Sequence, residues 1–358
     1  MTSDIPMALN SKISVEADRF SDQFGPTRTR RVLVVGGAGY IGAPVTQYLL
    51  GQGYKVRCLD RLIYDNASTI TGFLSHPDYE FALGDMGHNE TMDQALEDVT
   101  DVVILAGLVG DPITKKFPDA AHEINDLAVS ACIDRLAGRG LNKVIFISTC
   151  SNYGMIADDA MADENFELSP LSLYAKSKVA AETKILGLKG KVDYHPTVLR
   201  FATAFGFAPR MRFDLTVNEF TRELHEDNEL LVYDAHTWRP YCHVFDFARL
   251  IDRVLAFPIA DVSFEVFNAG GDKNNHTKQS IVDLVCQRLP ERNVAYKEHS
   301  TDPRNYKVNF EKVRTKLFFE PAMSVQDGID EIIWALSSRL TSDISERKNF
   351  YGNYEILG

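Results

Sequence analysis

Arg31-Val32-Leu33-Val34-Val35-Gly36-Gly37-Ala38-Gly39-Tyr40-Ile41-Gly42 is the stretch on which the reading of this chain turns. Its first residues form an apolar, β-branched run, the pattern of a strand buried on both faces. Three glycines at spacing Gly-x-x-Gly-x-x-Gly follow at once. An apolar helical pattern then continues through Val45, Tyr48, Leu49 and Leu50 to the glycines at 51 and 53. Glycine at such positions permits a tight turn, close approach of the backbone to a pyrophosphate, and close packing of helix on strand. The pyrophosphate would then meet the positive end of the helix. Three glycines alone mean little, and the strand before and helix after are what give them weight.

Outward from this loop, residues 55–59 read as a second strand that closes on Asp60, eighteen residues beyond Gly42. A carboxylate there accepts from both hydroxyls of an adenosine ribose and repels a 2′-phosphate, so the pattern predicts NAD over NADP. Arg61 could offset part of that repulsion. Residues 79–83 form a third strand, followed by Gly84-Asp85-Met86. Asp85 can accept from an adenine amine or cap the helix expected over 89–98. The alternation continues with strands at 101–105, 143–147 and 192–199 and helices over 118–138 and from Ser172. Such alternation predicts an α/β fold with a doubly wound parallel sheet. After residue 205 the rhythm loosens: a helix over 213–226, strands at 229–233 and 265–268, and helices from Val244 and over 281–289. We therefore expect an N-terminal extension (1–29), a dinucleotide-binding Rossmann domain (30–205), a smaller substrate lobe built mainly from 206–340, and a C-terminal tail (341–358).

Composition narrows the function. The chain has 358 residues, 45% hydrophobic and 25% charged, as a globular protein with a sizeable core requires. Its net charge of −12 disfavours nucleic acid and anionic membrane as partners. Five scattered cysteines without a CxxC suggest reduced thiols in a cytoplasm and no metal site. No apolar run approaches the ~20 residues of a membrane span. Asp4, Glu16, Asp18 and Arg19 occupy the N-terminus where a signal peptide would be apolar.

Tyr174 and Lys178 lie four residues apart on the helix from Ser172, so they face the same way. A phenol near pKa 10 is a poor base at neutral pH. A neighbouring ammonium and a cationic nicotinamide would favour the phenolate. Twenty-five residues before Tyr174, Ser148-Thr149-Cys150-Ser151-Asn152-Tyr153-Gly154 sets hydroxyls at the end of a buried strand. That sheet edge is where open α/β folds place their ligands.

Taken together, GGAGYIG, Asp60, Gly84-Asp85, Asn125, STCSNYG, YAKSK and Leu199-Arg200-Phe201 resemble the extended short-chain dehydrogenase/reductases of the nucleotide-sugar epimerase/dehydratase group, over about residues 31–340. The resemblance implies that Thr149 bonds the reacting hydroxyl, Tyr174 removes its proton and Lys178 holds the nicotinamide ribose. It implies an NAD site comprising Gly36, Gly39, Tyr40, Ile41, Gly42, Asp60, Asp85, Met86, Leu105, Ala106, Gly107, Asn125 as a buttress, Tyr174, Lys178 and Phe201. For a nucleotide-diphosphate sugar it implies Cys150, Ser151, Thr203, Arg210, Arg239 (in Trp238-Arg239-Pro240-Tyr241-Cys242-His243-Val244) and Arg304 (in Asp302-Pro303-Arg304-Asn305-Tyr306). Guanidinium forks suit a diphosphate. A homodimer is expected by analogy alone.

Three departures narrow the expected chemistry. Cys150 and Ser151 stand where the group's 4,6-dehydratases carry Asp-Glu, which makes elimination of water improbable. Val109 replaces a lysine of galactose-type epimerases, and Thr203 replaces an asparagine. These changes resemble a subgroup of 4-epimerases and 4-dehydrogenases acting on unusual sugars, GDP-heptoses among them. His243 reads as structural. The expected function is NAD-dependent hydride transfer at C4 of a nucleotide sugar. The alternatives are a 4-keto-sugar reductase and a non-catalytic NAD-binding regulator.

Overall fold

In a computed structural model, residues 29–157, 159–298 and 304–357 are described. The expected extension, apart from Thr29, lies outside them, as do Asp302 and Pro303. The apolar runs become the strands β1 (Arg31–Val35), β2 (Lys55–Asp60), β3 (Tyr79–Leu83), β4 (Asp101–Ile104), β5 (Lys143–Thr149) and β6 (His195–Phe201). Next come β7 (Thr203–Phe205), β8 (Leu230–Tyr233), β9 (Trp238–His243), β10 (Glu265–Ala269), β11 (Asn275–Thr277) and β12 (Val294–Lys297). Seven of them form a parallel sheet in the order β3-β2-β1-β4-β5-β6-β10, with Val34 of β1 opposite Cys58 of β2 and Val103 of β4. The order reverses between β1 and β4. A crevice therefore opens beyond their carboxyl ends, as a doubly wound sheet requires.

Side-chain alternation along β1 explains why its sequence is continuously apolar. Val32 and Val34 pack on one face against Val45 and Leu49 of the helix Gly42–Gly51 and Phe247 and Ile251 of the helix Val244–Ala256. Leu33 and Val35 pack on the other against Met92, Cys132 and Ile185, from three further helices. Both faces are covered, so the buried positions Val32 to Val35 are all apolar, and only Arg31 at the strand's start is polar. The helix expected over 118–138 is broken in the middle by a π-helical turn at His122–Ala128.

The smaller lobe holds a three-stranded sheet, β7-β9-β11, and the parallel pair β8 and β12. Its core joins Phe205, Val217, Leu224, Tyr241 and Ile281. The expected C-terminal tail is packed rather than free. Phe350 and Tyr351 are buried, Phe213 N donates to Tyr351 O (2.8 Å), and Leu357 N donates to Ile63 O (3.0 Å). Among the described residues no helix is long and apolar enough to cross a membrane.

Candidate functional site

A cavity of about 440 Å³ lies where β1, β2, β4, β5 and β6 end, between the sheet and the smaller lobe. The glycine loop forms its floor. Gly36 has φ +89°, and a Cβ there would lie 2.7 Å from Ala106 N. A Cβ on Gly42 would lie 2.1 Å from Gly36 O. Both positions therefore exclude any side chain, whereas a Cβ on Gly39 would meet only Gly36 O, at 3.3 Å. Tyr40, Ile41, Met86, Leu105, Ala106 and Gly107 all stand on the cavity wall. The Tyr40 hydroxyl is turned away to Gly206 O (2.7 Å).

Asp60 ends β2 with Oδ2 accepting from Ala38 N (3.0 Å) and Oδ1 from Leu62 N (2.8 Å). Burial pushes its pKa up, against these backbone donors. Arg61 pairs with Asp85 at 2.8 Å rather than with Asp60. Asp85 also accepts from Gly87 N (2.7 Å), and the next helix begins only after His88, so Asp85 is not its cap. Asn125 lies behind the cavity wall, as a buttress would. It grips Leu108 from behind, accepting from its N (2.7 Å) and donating to its O (3.0 Å). It braces the loop after β4.

Ser172 caps the helix Leu173–Leu186 by accepting from Ala175 N (3.1 Å), which sets its first turn over the end of β5. Tyr174 and Lys178 both face the cavity. Lys178 Nζ donates to Ile147 O (2.8 Å) and sits 5.8 Å from the Tyr174 ring centre. Burial lowers the Lys178 pKa to about 8 against the attraction of Glu182. The Tyr174 phenol is shifted in the other direction. Burial pushes it above its ordinary value, Arg212 and Arg304 pull it down, and Asp111 pushes it up. Together these groups leave the phenol above its ordinary value.

Thr149 Oγ1 accepts from Ser151 N (3.1 Å) and stands on the cavity wall. Ser148 is committed elsewhere, to Glu182 (3.2 Å) and Asn152 (3.0 Å). For Cys150 the implied place among the substrate residues is corrected, and the residue is the small buried one that its position at a strand end suggests. It is buried away from the cavity, its Sγ is 3.1 Å from Arg200 O, and burial pushes its thiol up. β5 ends at Thr149 on the cavity side, and Cys150 opens the short 3₁₀ turn Cys150–Tyr153 with its side chain in the core. Phe201 stacks on Phe247 (3.7 Å between centres), and Thr203 follows it on the wall. His243 lies outside the cavity, fully buried against Glu331 (2.9 Å).

Arg210, Arg239 and Arg304 all stand on the cavity wall. Arg304 Nη2 pairs with Asp111 Oδ2 (3.1 Å), and its Nη1 lies 3.4 Å from Ser151 Oγ, which in turn meets Tyr306 OH at 3.2 Å. Arg239 stacks over Tyr306 at 5.1 Å. Arg210 stands apart, over the Tyr64 ring at 4.4 Å. Its Nη2 donates to Asn349 O (3.2 Å), Gly352 O (3.1 Å) and Asn353 Oδ1 (2.7 Å). These bonds tie the C-terminal segment to the cavity wall, on which Arg210 itself stands. Asp111, Arg212 and Asn353 line the cavity without having been assigned a role from sequence. Asp111 follows the fourth strand's loop in Gly110-Asp111-Pro112, a faint signal. Asn353 offered none.

A model of the NAD dependent epimerase/dehydratase family matches residues 32–270. The chain belongs to that family. Its cofactor is NAD, and the glycine floor without room for a Cβ, with a carboxylate at the end of β2, fits a dinucleotide. The low-salt glycan biosynthesis protein Agl12 of Haloferax volcanii is 27% identical, covering 84% of this chain and 97% of its own length. A dTDP-glucose 4,6-dehydratase of Streptomyces niveus is 25% identical over 86% and 94%. A solved UDP-glucuronic acid 4-epimerase from Bacillus cereus, in complex with UDP-glucuronic acid and NAD, shares the fold. It has a TM-score of 0.78 and 22% identity, covering 86% of this chain and 99% of that one.

Proposed function

We propose that this family member oxidises a nucleotide-diphosphate sugar at C4, as a 4-epimerase or a 4-dehydrogenase. The observation that carries this is the meeting of Thr149, Tyr174 and Lys178 on the wall of the cavity floored by the glycine loop. Bound NAD supplies the hydride acceptor. Thr149 Oγ1 has its own proton free to donate while it accepts from Ser151 N, so it can hold the reacting sugar oxygen. Tyr174 takes the proton of that hydroxyl. Lys178 spends one proton on Ile147 O and keeps others for the nicotinamide ribose. With the protein alone raising the phenol's pKa, the positive charge of the oxidised cofactor becomes part of activating the base.

The 4,6-dehydratase reaction is disfavoured by the two residues after Thr149. Cys150 holds its thiol in the core and Ser151 carries a hydroxyl bonded to Tyr306, so these two positions supply no carboxylic acid and base for elimination.

The test is a panel of UDP-, GDP-, CDP- and dTDP-sugars, followed by absorbance near 340 nm and product analysis. One nucleotide class should yield an epimer or a keto sugar with NADH. Tyr174→Phe should bind NAD normally and lose about 10²–10⁴-fold in turnover. NAD binding without reaction on any sugar nucleotide, or an unimpaired Tyr174→Phe enzyme, would overturn the reading.

A further inference from the structure

Asp111 begins the short helix Asp111–Lys116, directly after Gly110 at φ +120°. Its side chain is 15% exposed and on the cavity wall. One carboxylate oxygen, Oδ2, pairs with Arg304 Nη2 at 3.1 Å. The other, Oδ1, is buried and has no hydrogen-bond partner. A buried acceptor without a donor is costly, and where one persists in a cavity it marks the place of a ligand donor. The neighbouring polar atoms are already engaged, since Ser151 Oγ is shared between Tyr306 and Arg304.

The position of this oxygen points to the sugar rather than the nucleotide. Asp111 is among the charged groups felt by the Tyr174 phenol, together with Arg212 and Arg304, and its helix packs on the helix that carries Tyr174. The group handled by Tyr174 is a sugar hydroxyl under the function proposed above, on which this inference rests. A carboxylate accepts hydrogen bonds and donates none. It therefore suits a hydroxyl and repels a second carboxylate. Arg304 and Arg212 each already have a carboxylate partner, Asp111 Oδ2 for the first and both oxygens of Asp214 (2.8 and 2.6 Å) for the second.

We propose that Asp111 is a specificity-determining residue: Oδ1 accepts from a hydroxyl of the glycosyl ring, so the site takes nucleotide-linked neutral hexoses and rejects hexuronates.

The test compares kcat/KM for a hexose and a hexuronate on the same nucleotide, such as UDP-glucose with UDP-glucuronic acid and GDP-mannose with GDP-mannuronic acid. The wild type should prefer the hexose by on the order of 10²-fold or more. Asp111→Asn keeps the shape, removes the charge and adds a donor. Its hexose-to-hexuronate ratio should fall by about tenfold or more, with the change in KM and with NAD affinity, read by fluorescence, unchanged. Equal use of both sugars by the wild type overturns the assignment without any variant, and so does an unchanged ratio in Asp111→Asn. A wild type that binds NAD but turns over no sugar nucleotide overturns the parent reading, and this one with it. Hexuronate rejection lost in the variant while Tyr174→Phe remains dead supports both.

Discussion

Lys178 sits in a shell that works against its own charge. Its ammonium is buried over the Phe146 ring at 4.9 Å and has Ile147 O as its backbone acceptor. Burial outweighs Glu182 and brings its pKa down to about 8 from an ordinary lysine value of 10.5. Because the folded value is depressed, the charge is complete below pH 8 and is lost as the pH rises through it. A charged hydrogen bond contributes roughly 1.5–3 kcal/mol, so NAD affinity measured by titration should weaken about tenfold or more between pH 7 and pH 9.5. Lys178→Arg, which stays charged throughout, should lose that pH dependence even if its affinity is lower overall. An identical alkaline decline in both proteins would show that another group is titrating. At the same scale, Thr149 and Cys150 show what neighbours in sequence cannot reveal. Thr149 ends β5 and Cys150 opens the 3₁₀ turn after it, and only the packing around that turn decides which faces the ligand space and which enters the core.

The helix between β4 and β5 illustrates the next scale. Its apolar spacing makes a helix over 118–138 legible, because a pattern near 3.6 residues per turn identifies the buried stripe. The π-helical turn within it is not legible, since the same residues satisfy either backbone. Such turns recur at functional sites, and this one carries Asn125, whose side chain holds both backbone polar groups of Leu108. Asn125→Ala would leave those two buried groups without partners. We expect about 1–3 kcal/mol lower stability in urea unfolding and a raised KM for NAD, with kcat less affected. A variant that loses stability but keeps its KM would reduce Asn125 to a purely structural tie.

Over the whole molecule, the C-terminal segment closes the site from outside the sheet. Asn353 stands on the cavity wall and donates to Val109 O (2.8 Å), while its Oδ1 accepts from Arg210. Lys116 is ion-paired with Glu355, and Arg347 Nη2 donates to Asp65 O (3.1 Å) and Ser68 Oγ (3.1 Å). The segment therefore ties the loop after β2, the loop after β4 and the stretch around Arg210 together. Ending the chain at Ser342 would strip three acceptors from a buried guanidinium. A truncated protein should lose about 3–5 kcal/mol, the scale for uncovering a buried charge, and should bind NAD more weakly by calorimetry. Full NAD affinity in the truncated protein would make the segment a cover without influence on the cofactor.

What the sequence determined by itself is whatever depends on near neighbours. A strand, a glycine turn and a helix are set by runs of a dozen residues. The pairing of Tyr174 with Lys178 follows from one helical turn, and an acid at the end of β2 follows from strand length. These readings gave the parallel sheet, the NAD family and the residues now found around the cavity's floor. Tertiary structure decided the far wall. Arg210 meets Asn353 across 143 residues of chain, and Asp111 meets Arg304 from a different lobe. No local period encodes such meetings, because they are fixed by how separately folded segments pack. The same packing left one oxygen of Asp111 without a partner, and it placed Cys150 where it cannot act.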